Sequence, residues 1–262
     1  MQFFIYYLIS FFLVAFGQPA TSMLCSIAAA IFGYSLFFTA CAEKTPKTRF
    51  ILGMLFFTGV QLVQTSWLTS HFYNYIYVLY FLLAVVLGVQ FGALSYFASK
   101  ERIMHIPSIL ALSSLWTLLE WSRLFYFTGY TFNPIGLAMS GSEPLLQCAS
   151  FFGIYGLSFW VMFGNLFLCR CYFRYAESKS ILAIIQALII IAFPFAVGYC
   201  MNTVHERAQK QYDQAHGPFQ TLLLHTTMLP EEVDFVIRPL KPLTNGNSSS
   251  IPLHHFKKRL LI

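Results

Sequence analysis

The chain is a succession of apolar runs, each close to the length of a bilayer crossing, separated by short polar breaks. The runs cover residues 2–17, 20–42, 50–70, 75–98, 107–127, 154–168 and 180–201. A helix needs about 20 apolar residues to cross the roughly 30 Å hydrocarbon core, so the pattern predicts about seven transmembrane helices. Composition points the same way: of 262 residues 57% are hydrophobic and only 10% charged, against roughly 25% charged in a soluble globular chain. So little charge cannot solvate a globule of this size. In lipid, apolar surface is at home and each helix satisfies its own backbone. A soluble enzyme, a disordered chain and a collagen-like fibre are excluded, and an all-α polytopic membrane protein is expected.

Charge is unevenly placed. Residues 202–262 hold 12 of the 26 charged side chains, which divides the chain into a transmembrane helical domain, 1–201, and a polar tail, 202–262. The segment from Gly129 to Phe152, with Pro134, Pro144 and several glycines, reads as a long loop that dips back toward the membrane. Basic residues resist translocation, so their loop placement sets orientation. Loops after the second, fourth and sixth runs carry Lys44, Lys47, Arg49, Lys100, Arg102, Arg170, Arg174 and Lys179, whereas the intervening loops carry only Arg123. This predicts a cytoplasmic N-terminus and, with seven spans, an extracytoplasmic tail. The net charge of +6 resides mostly in these short loops and in the tail, as topology signal rather than nucleic-acid footprint.

Six cysteines, at 25, 41, 148, 169, 171 and 200, show no disulfide-rich framework. Five of the seven histidines lie in the tail without HxxxH or HExxH spacing or a Cys partner, so neither metal nor cofactor is expected.

The most informative site within the apolar runs is Trp116-Thr117-Leu118-Leu119-Glu120-Trp121-Ser122-Arg123. A carboxylate and a guanidinium inside a span are expensive unless paired or turned to a polar cavity. Trp116, Glu120 and Arg123 stand at i, i+4 and i+7, on one helical face. Two compatible readings stay open: an internal Glu120 to Arg123 pair, or a face lining a substrate cavity. Gly153-Ile154-Tyr155-Gly156 opens the sixth run, and its glycines suit either plain helix packing with an interfacial Tyr or a close approach at a site. Gly88 and Gly92 form a GxxxG, read as packing.

Three segments together resemble the bacterial apolipoprotein N-acyltransferases: Glu120-Trp121-Ser122-Arg123, then Phe127-Thr128-Gly129-Tyr130, then Phe152-Gly153-Ile154-Tyr155-Gly156-Leu157-Ser158-Phe159. Order and spacing both match, and the last segment is the most specific. The likeness extends into the tail, where Thr221-Leu222-Leu223-Leu224-His225-Thr226-Thr227, followed by Leu229-Pro230, resembles the first strand of that family's nitrilase-like α/β domain. The resemblance implies a multi-pass protein of the bacterial inner membrane. It also implies transfer of an acyl chain from a phospholipid to the α-amino group of a lipoprotein's N-terminal Cys, by way of a thioester on a catalytic Cys. That chemistry uses a Glu base, a Lys and the Cys, all within the nitrilase-like domain.

No Cys follows Cys200, and the tail reads Thr244-Asn245-Gly246-Asn247 and Pro252-Leu253-His254-His255 where the family's domain would continue. No catalytic residue is assigned. The expected function is the membrane portion of an N-acyltransferase with a truncated, poorly ordered start of the nitrilase-like domain, inactive alone. Its partners are then the phospholipid bilayer, a lipoprotein substrate and a separate nitrilase-like chain. The alternatives are a seven-span transporter or receptor, or a non-functional truncated product. The residues assigned to a substrate cavity or to its structural support are Trp116, Glu120, Arg123, Gly129, Tyr130, Gly153, Tyr155 and Gly156.

Overall fold

Long runs without charge leave the backbone little to bond but itself, and they wind into helix. The structure is a computed structural model in which residues 2–18, 22–70, 73–126, 129, 131 and 133–216 are described. Ten α-helices occur among them: α1 (Gln2–Gly17), α2 (Met23–Ala28), α3 (Tyr34–Cys41), α4 (Pro46–Gln64), α5 (Tyr75–Phe97), α6 (Lys100–Ile103), α7 (Ile106–Tyr126), α8 (Glu143–Gln147), α9 (Ala149–Ser178) and α10 (Ile181–His216). A π-helical segment, Ala29–Gly33, joins α2 to α3, and 3-10 turns occupy Ser66–Ser70 and Ile135–Gly141. There is no strand among the described residues, and the strand expected at Thr221–Thr227 lies outside them.

Local chemistry sets the helix starts. Ser22, Thr45 and Ser99 each accept a backbone N–H of the first turn, from Cys25, Thr48 and Arg102, and Pro46 occupies the opening position of α4. Among the described residues four helical stretches are long and apolar enough to cross a membrane: Met23–Cys41, Tyr75–Phe97, Gly153–Ser178 and Ile181–Ala215. The other expected spans correspond to α1, which is 16 residues long, and to α4 and α7, which carry more polar side chains.

Expected boundaries move: α4 opens at Pro46 and α9 at Ala149, four and five residues early. The third run leaves helix at Gln64, and Ser66–Ser70 turn as 3-10. The sixth runs ten residues beyond Leu168, to Ser178, and its basic residues there find partners on neighbouring segments. Arg170 Nε donates to Met104 O at 3.0 Å, and Arg174 Nη1 to Gln186 Oε1 at 3.2 Å. The seventh continues past Met201 to His216, adding turns rich in charge and amide.

Helices in lipid associate through close packing and hydrogen bonds rather than through expulsion of water. The α4–α5 seam uses packing. A Cβ at Gly88 would stand 2.0 Å from Thr58 Oγ1, and one at Gly92 would stand 2.8 Å from the Phe50 carbonyl. Behind it lies an aromatic core in which Phe57 and Phe91 stack at 4.9 Å, and Trp116 meets both edge-on at 5.4 and 5.5 Å. The α2–α3 break uses hydrogen bonds: Asn165 of α9 accepts from Ser35 N–H at 2.8 Å and donates to Ala30 O at 2.7 Å. A π-segment displaces its neighbours' ladder bonds, and this one amide satisfies two of the backbone groups around it.

The two ends of the bundle differ. At one, the Ala42 carbonyl accepts from Lys100 N–H at 3.1 Å, and Lys100 Nζ bridges Glu43 at 2.9 Å and Glu177 at 3.2 Å. This is the basic face. At the other, Gln64 Nε2 donates to Val14 O, and Gln18 Nε2 donates to Asn133 Oδ1 and to Pro134 O, all at 2.6 to 2.7 Å.

Candidate functional site

Polar side chains in an apolar bundle must find one another, and those of α7 do so beneath the segment that follows it. Trp116, Glu120 and Arg123 are fully buried on the same face. Trp116 Nε1–H donates to Glu120 Oε1 at 3.0 Å, and the Arg123 guanidinium lies over the Trp116 ring at 5.4 Å. The indole therefore touches both charged groups, which also interact electrostatically. Arg123 Nε donates to Gln90 Oε1 at 2.8 Å, and Gln90 Nε2 donates to Leu119 O at 3.1 Å and to the Tyr126 hydroxyl.

The segment after α7, expected as a loop, is folded into the bundle. Its 3-10 turn buries Ile135, Gly136, Ala138 and Met139 against α2 and α9. Glu120 Oε1 accepts from Ile135 N–H at 2.8 Å, and the Ser158 hydroxyl of α9 accepts from Gly136 N–H at 3.1 Å. Two successive N–H groups at the opening of the turn are thus satisfied by side chains of two different helices. Asn133 precedes them in a left-handed conformation, φ 51°, and its amide donates to Gln64 Oε1 at 2.6 Å and Gln61 Oε1 at 3.3 Å. Asn tolerates that conformation better than most residues.

Ser158 stands alongside the Glu120 carboxylate. Glu120 Oε2 and the Tyr155 hydroxyl are buried without a hydrogen-bond partner among the described residues. Both belong to the segments singled out in the sequence. Gly153 has φ 62° and ψ −162°, outside helical geometry, and breaks the first turn of α9 from the rest. A side chain is rarely tolerated there.

From this corner an apolar groove of about 920 Å³ runs between α9 and α10. Tyr155, Gly156, Phe159, Trp160, Phe193 and Val197 line it. Cys148 borders it and donates weakly to Pro194 O at 3.4 Å. Pro194 lies inside α10, where its ring cannot supply a ladder hydrogen bond.

Of the residues expected at a site, the structure brings Trp116, Glu120, Arg123, Tyr155 and Gly156 to one corner, with Gly153 at the break above it. Gly129, φ 84°, lies past the end of α7, its N–H donating to Leu124 O at 3.0 Å. Tyr130 lies outside the described residues. Sequence reading gave no role to Gln90, Ser158, Asn133, Gln61 and Gln64; for all but Asn133, which lies in the segment read as loop, an amide or hydroxyl within an apolar run was the signal available. All six cysteines are free thiols. Among the described residues no group of three His, Cys, Asp or Glu side chains is placed to hold a metal.

The fold is that of a helical membrane domain. The chain belongs to the family of the apolipoprotein N-acyltransferase N-terminal domain, whose family model matches residues 6–167. It is 29% identical over 218 residues to an apolipoprotein N-acyltransferase of Chlamydia caviae, covering 75% of this chain and 38% of that protein. It is 26% identical over 200 residues to one of Geobacter metallireducens, covering 71% and 37%. A shorter stretch of 70 residues is 44% identical to the enzyme of Rickettsia prowazekii, 27% of this chain and 13% of that one. The chain thus spans less than two fifths of the length of the first two relatives.

Proposed function

We propose that these 262 residues form the membrane portion of an apolipoprotein N-acyltransferase, which holds phospholipid and lipopeptide beside a nitrilase-like domain. One observation carries this reading: the first and third of the segments that resemble the family converge on the turn that lies between them in sequence. Glu120, from the first, accepts from Ile135, just past the second. Ser158, from the third, accepts from Gly136. The buried charges are then a fixture that holds the connecting segment, and the groove beside Tyr155 offers an acyl chain an apolar wall.

The chemistry the family resemblance implies needs a thiolate with a positioned base and a charge-stabilising Lys. The sequence after Met201 contains no Cys, and Cys200 lies exposed within α10. These residues alone are therefore proposed to be inactive, and a nitrilase-like domain must supply the thiol. Purified protein incubated with phospholipid and a diacylglyceryl lipopeptide is expected to give neither acyl-enzyme nor N-acylated product by mass spectrometry. Product is expected once a separate Cys-bearing nitrilase-like domain is added. Product from this chain alone would overturn the proposal.

We further propose a multi-pass protein of the bacterial inner membrane with seven spans, a cytoplasmic N-terminus and an extracytoplasmic segment after Met201, on the strength of the basic loop residues. Cys169 and Cys171 are buried within α9 and cannot report topology. Ser178, exposed at the end of α9, is the better reporter. In a cysteine-free background an impermeant thiol reagent applied to intact cells is expected to label restored Cys200 and to spare Ser178→Cys. The reverse pattern contradicts the orientation.

A further inference from the structure

The basic face carries a second feature that acyl transfer does not use. Arg49 is buried, and its guanidinium donates to four carbonyls: Ala42 at 3.4 Å, Lys44 at 2.6 Å, Ser95 at 3.1 Å and Tyr96 at 2.8 Å. It thereby ties the end of α3 to the end of α5. Every one of these acceptors is a neutral carbonyl. Arg102 lies near enough for the two positive charges to interact, and its own Nη1 donates to Phe97 O at 3.3 Å. These arginines, with Lys44 and Lys100, border a hollow of about 540 Å³. Glu43 and Glu101 border it too, but Glu43 is taken by Lys100, which also holds Glu177. Among the described residues no carboxylate pairs with Lys44, Lys47, Arg49 or Arg102.

Tyr96 is shared between this hollow and an apolar groove of about 620 Å³ on the α4–α5 face, lined by Phe50, Ile51, Ala93 and Phe97, with Lys47 at its edge. A basic hollow that shares a wall with an apolar groove matches one kind of molecule, an acidic head joined to a hydrocarbon tail. Basic pockets on the face of a membrane protein attract anionic lipid headgroups, and the attraction grows with each Lys or Arg near the surface.

We propose that this face binds an anionic phospholipid, its phosphate between Lys44, Lys47 and Arg102 and its acyl chain along Phe50, Ala93 and Phe97. The site lies at the opposite end of the bundle from the Glu120 corner, so it is independent of the acyl-transfer reading. The bound lipid bridges α4 and α5 where Arg49 already ties them, and it relieves the repulsion between the arginines.

The test is native mass spectrometry of the full chain, released from detergent after exposure to phosphatidylglycerol or to phosphatidylcholine with the same acyl chains. Retention of phosphatidylglycerol is expected to exceed that of phosphatidylcholine by about tenfold or more, a preference the triple variant Lys44→Gln/Lys47→Gln/Arg102→Gln abolishes. Ala93→Trp, which fills the groove and leaves the charges alone, is expected to weaken retention of both lipids. Arg174→Gln/Lys179→Gln, on the same face but outside the hollow, should leave the preference intact. Should the triple variant lose its helical circular dichroism, the exposed single change Lys47→Gln replaces it, with a smaller loss expected. Equal retention of the two lipids, an unchanged preference in the charge variants, or loss in the Arg174/Lys179 control would overturn the proposal. So would tight binding of soluble glycerophosphate, because it would make the groove irrelevant.

Discussion

The α4–α5 pair and the α7–α9 pair solve the same problem by opposite means. Along α4–α5 the backbones approach because Gly88 and Gly92 remove everything that would separate them, and the contact is van der Waals packing. α7 and α9 also pack directly, but they use Glu120 and Ser158 to hold the 135–141 turn, through hydrogen bonds accepted from its consecutive backbone N–H groups. The first solution is cheap and stiff. The second costs the burial of a carboxylate and a guanidinium, and charges placed within a membrane bundle mark function more often than stability. Expensive groups at α7, where a seam of small residues would have sufficed for packing, argue that the position of the 135–141 segment is what they serve.

If that contrast holds, the largest losses should come from the charges. Glu120→Leu and Arg123→Leu should each destabilise by about 3–5 kcal/mol, since each leaves the other group's charge buried without its opposite. The double variant should lose clearly less than the sum of the two. Yield of folded protein and thermal midpoint in detergent measure this, and additive single effects would mean that the two groups act independently.

A smaller effect is expected at the seam. Gly92→Leu places a side chain against the Phe50 carbonyl, which cannot give way as a flexible side chain could, and overpacking of this kind costs about 1–3 kcal/mol. A loss exceeding that of Glu120→Leu would invert the comparison. Asn133→Ala should cost less again, about 1 kcal/mol for its donated hydrogen bonds to Gln64 and Gln61. Asn133→Gly should keep the left-handed turn but not the bonds, so the gap between the two variants separates backbone from side chain.

The smallest effect belongs to Lys100 at the basic end. Its hydrogen bonds to Glu43 and then Glu177 raise its pKa above the ordinary lysine value. A group raised on folding stabilises fully below its unfolded pKa and loses that contribution as pH climbs through the folded one. The pair is solvent-accessible, so the effect is slight. Lys100→Gln should lower the thermal midpoint a little at pH 7 to 9, and the difference from the parent protein should shrink at strongly alkaline pH. A difference that grows with pH would contradict the assignment.

Much of this was legible in the sequence because the signal was local. The i, i+4, i+7 spacing put Trp116, Glu120 and Arg123 on one face, and the four-residue spacing of Gly88 and Gly92 marked a close approach. What stayed hidden depends on partners far along the chain. Asn165 meets Ala30 across 135 positions, and no pattern near either residue announces a π-segment. The turn at Ile135–Gly141 looked like loop because Pro134, Gly136 and Gly141 are poor helix formers, yet the hydrogen bonds its N–H groups donate to Glu120 and Ser158 fold it into the bundle. Arg170 and Arg174 looked like the end of a helix because basic residues often mark one, yet α9 runs through them, and Met104 and Gln186 receive their donors.

The central claim is that the buried charge of α7 exists to hold the segment after it. Hydrogen–deuterium exchange of the protein in nanodiscs, read by mass spectrometry for peptides spanning 135–141, 46–64 and 75–97, tests this directly. In Glu120→Leu the amides of 135–141, Ile135 foremost, should exchange about tenfold faster or more, as a lost buried hydrogen bond implies, while α4 and α5 stay as protected as in the parent protein. Unchanged exchange at 135–141, or an equal acceleration across all three peptides, would contradict it.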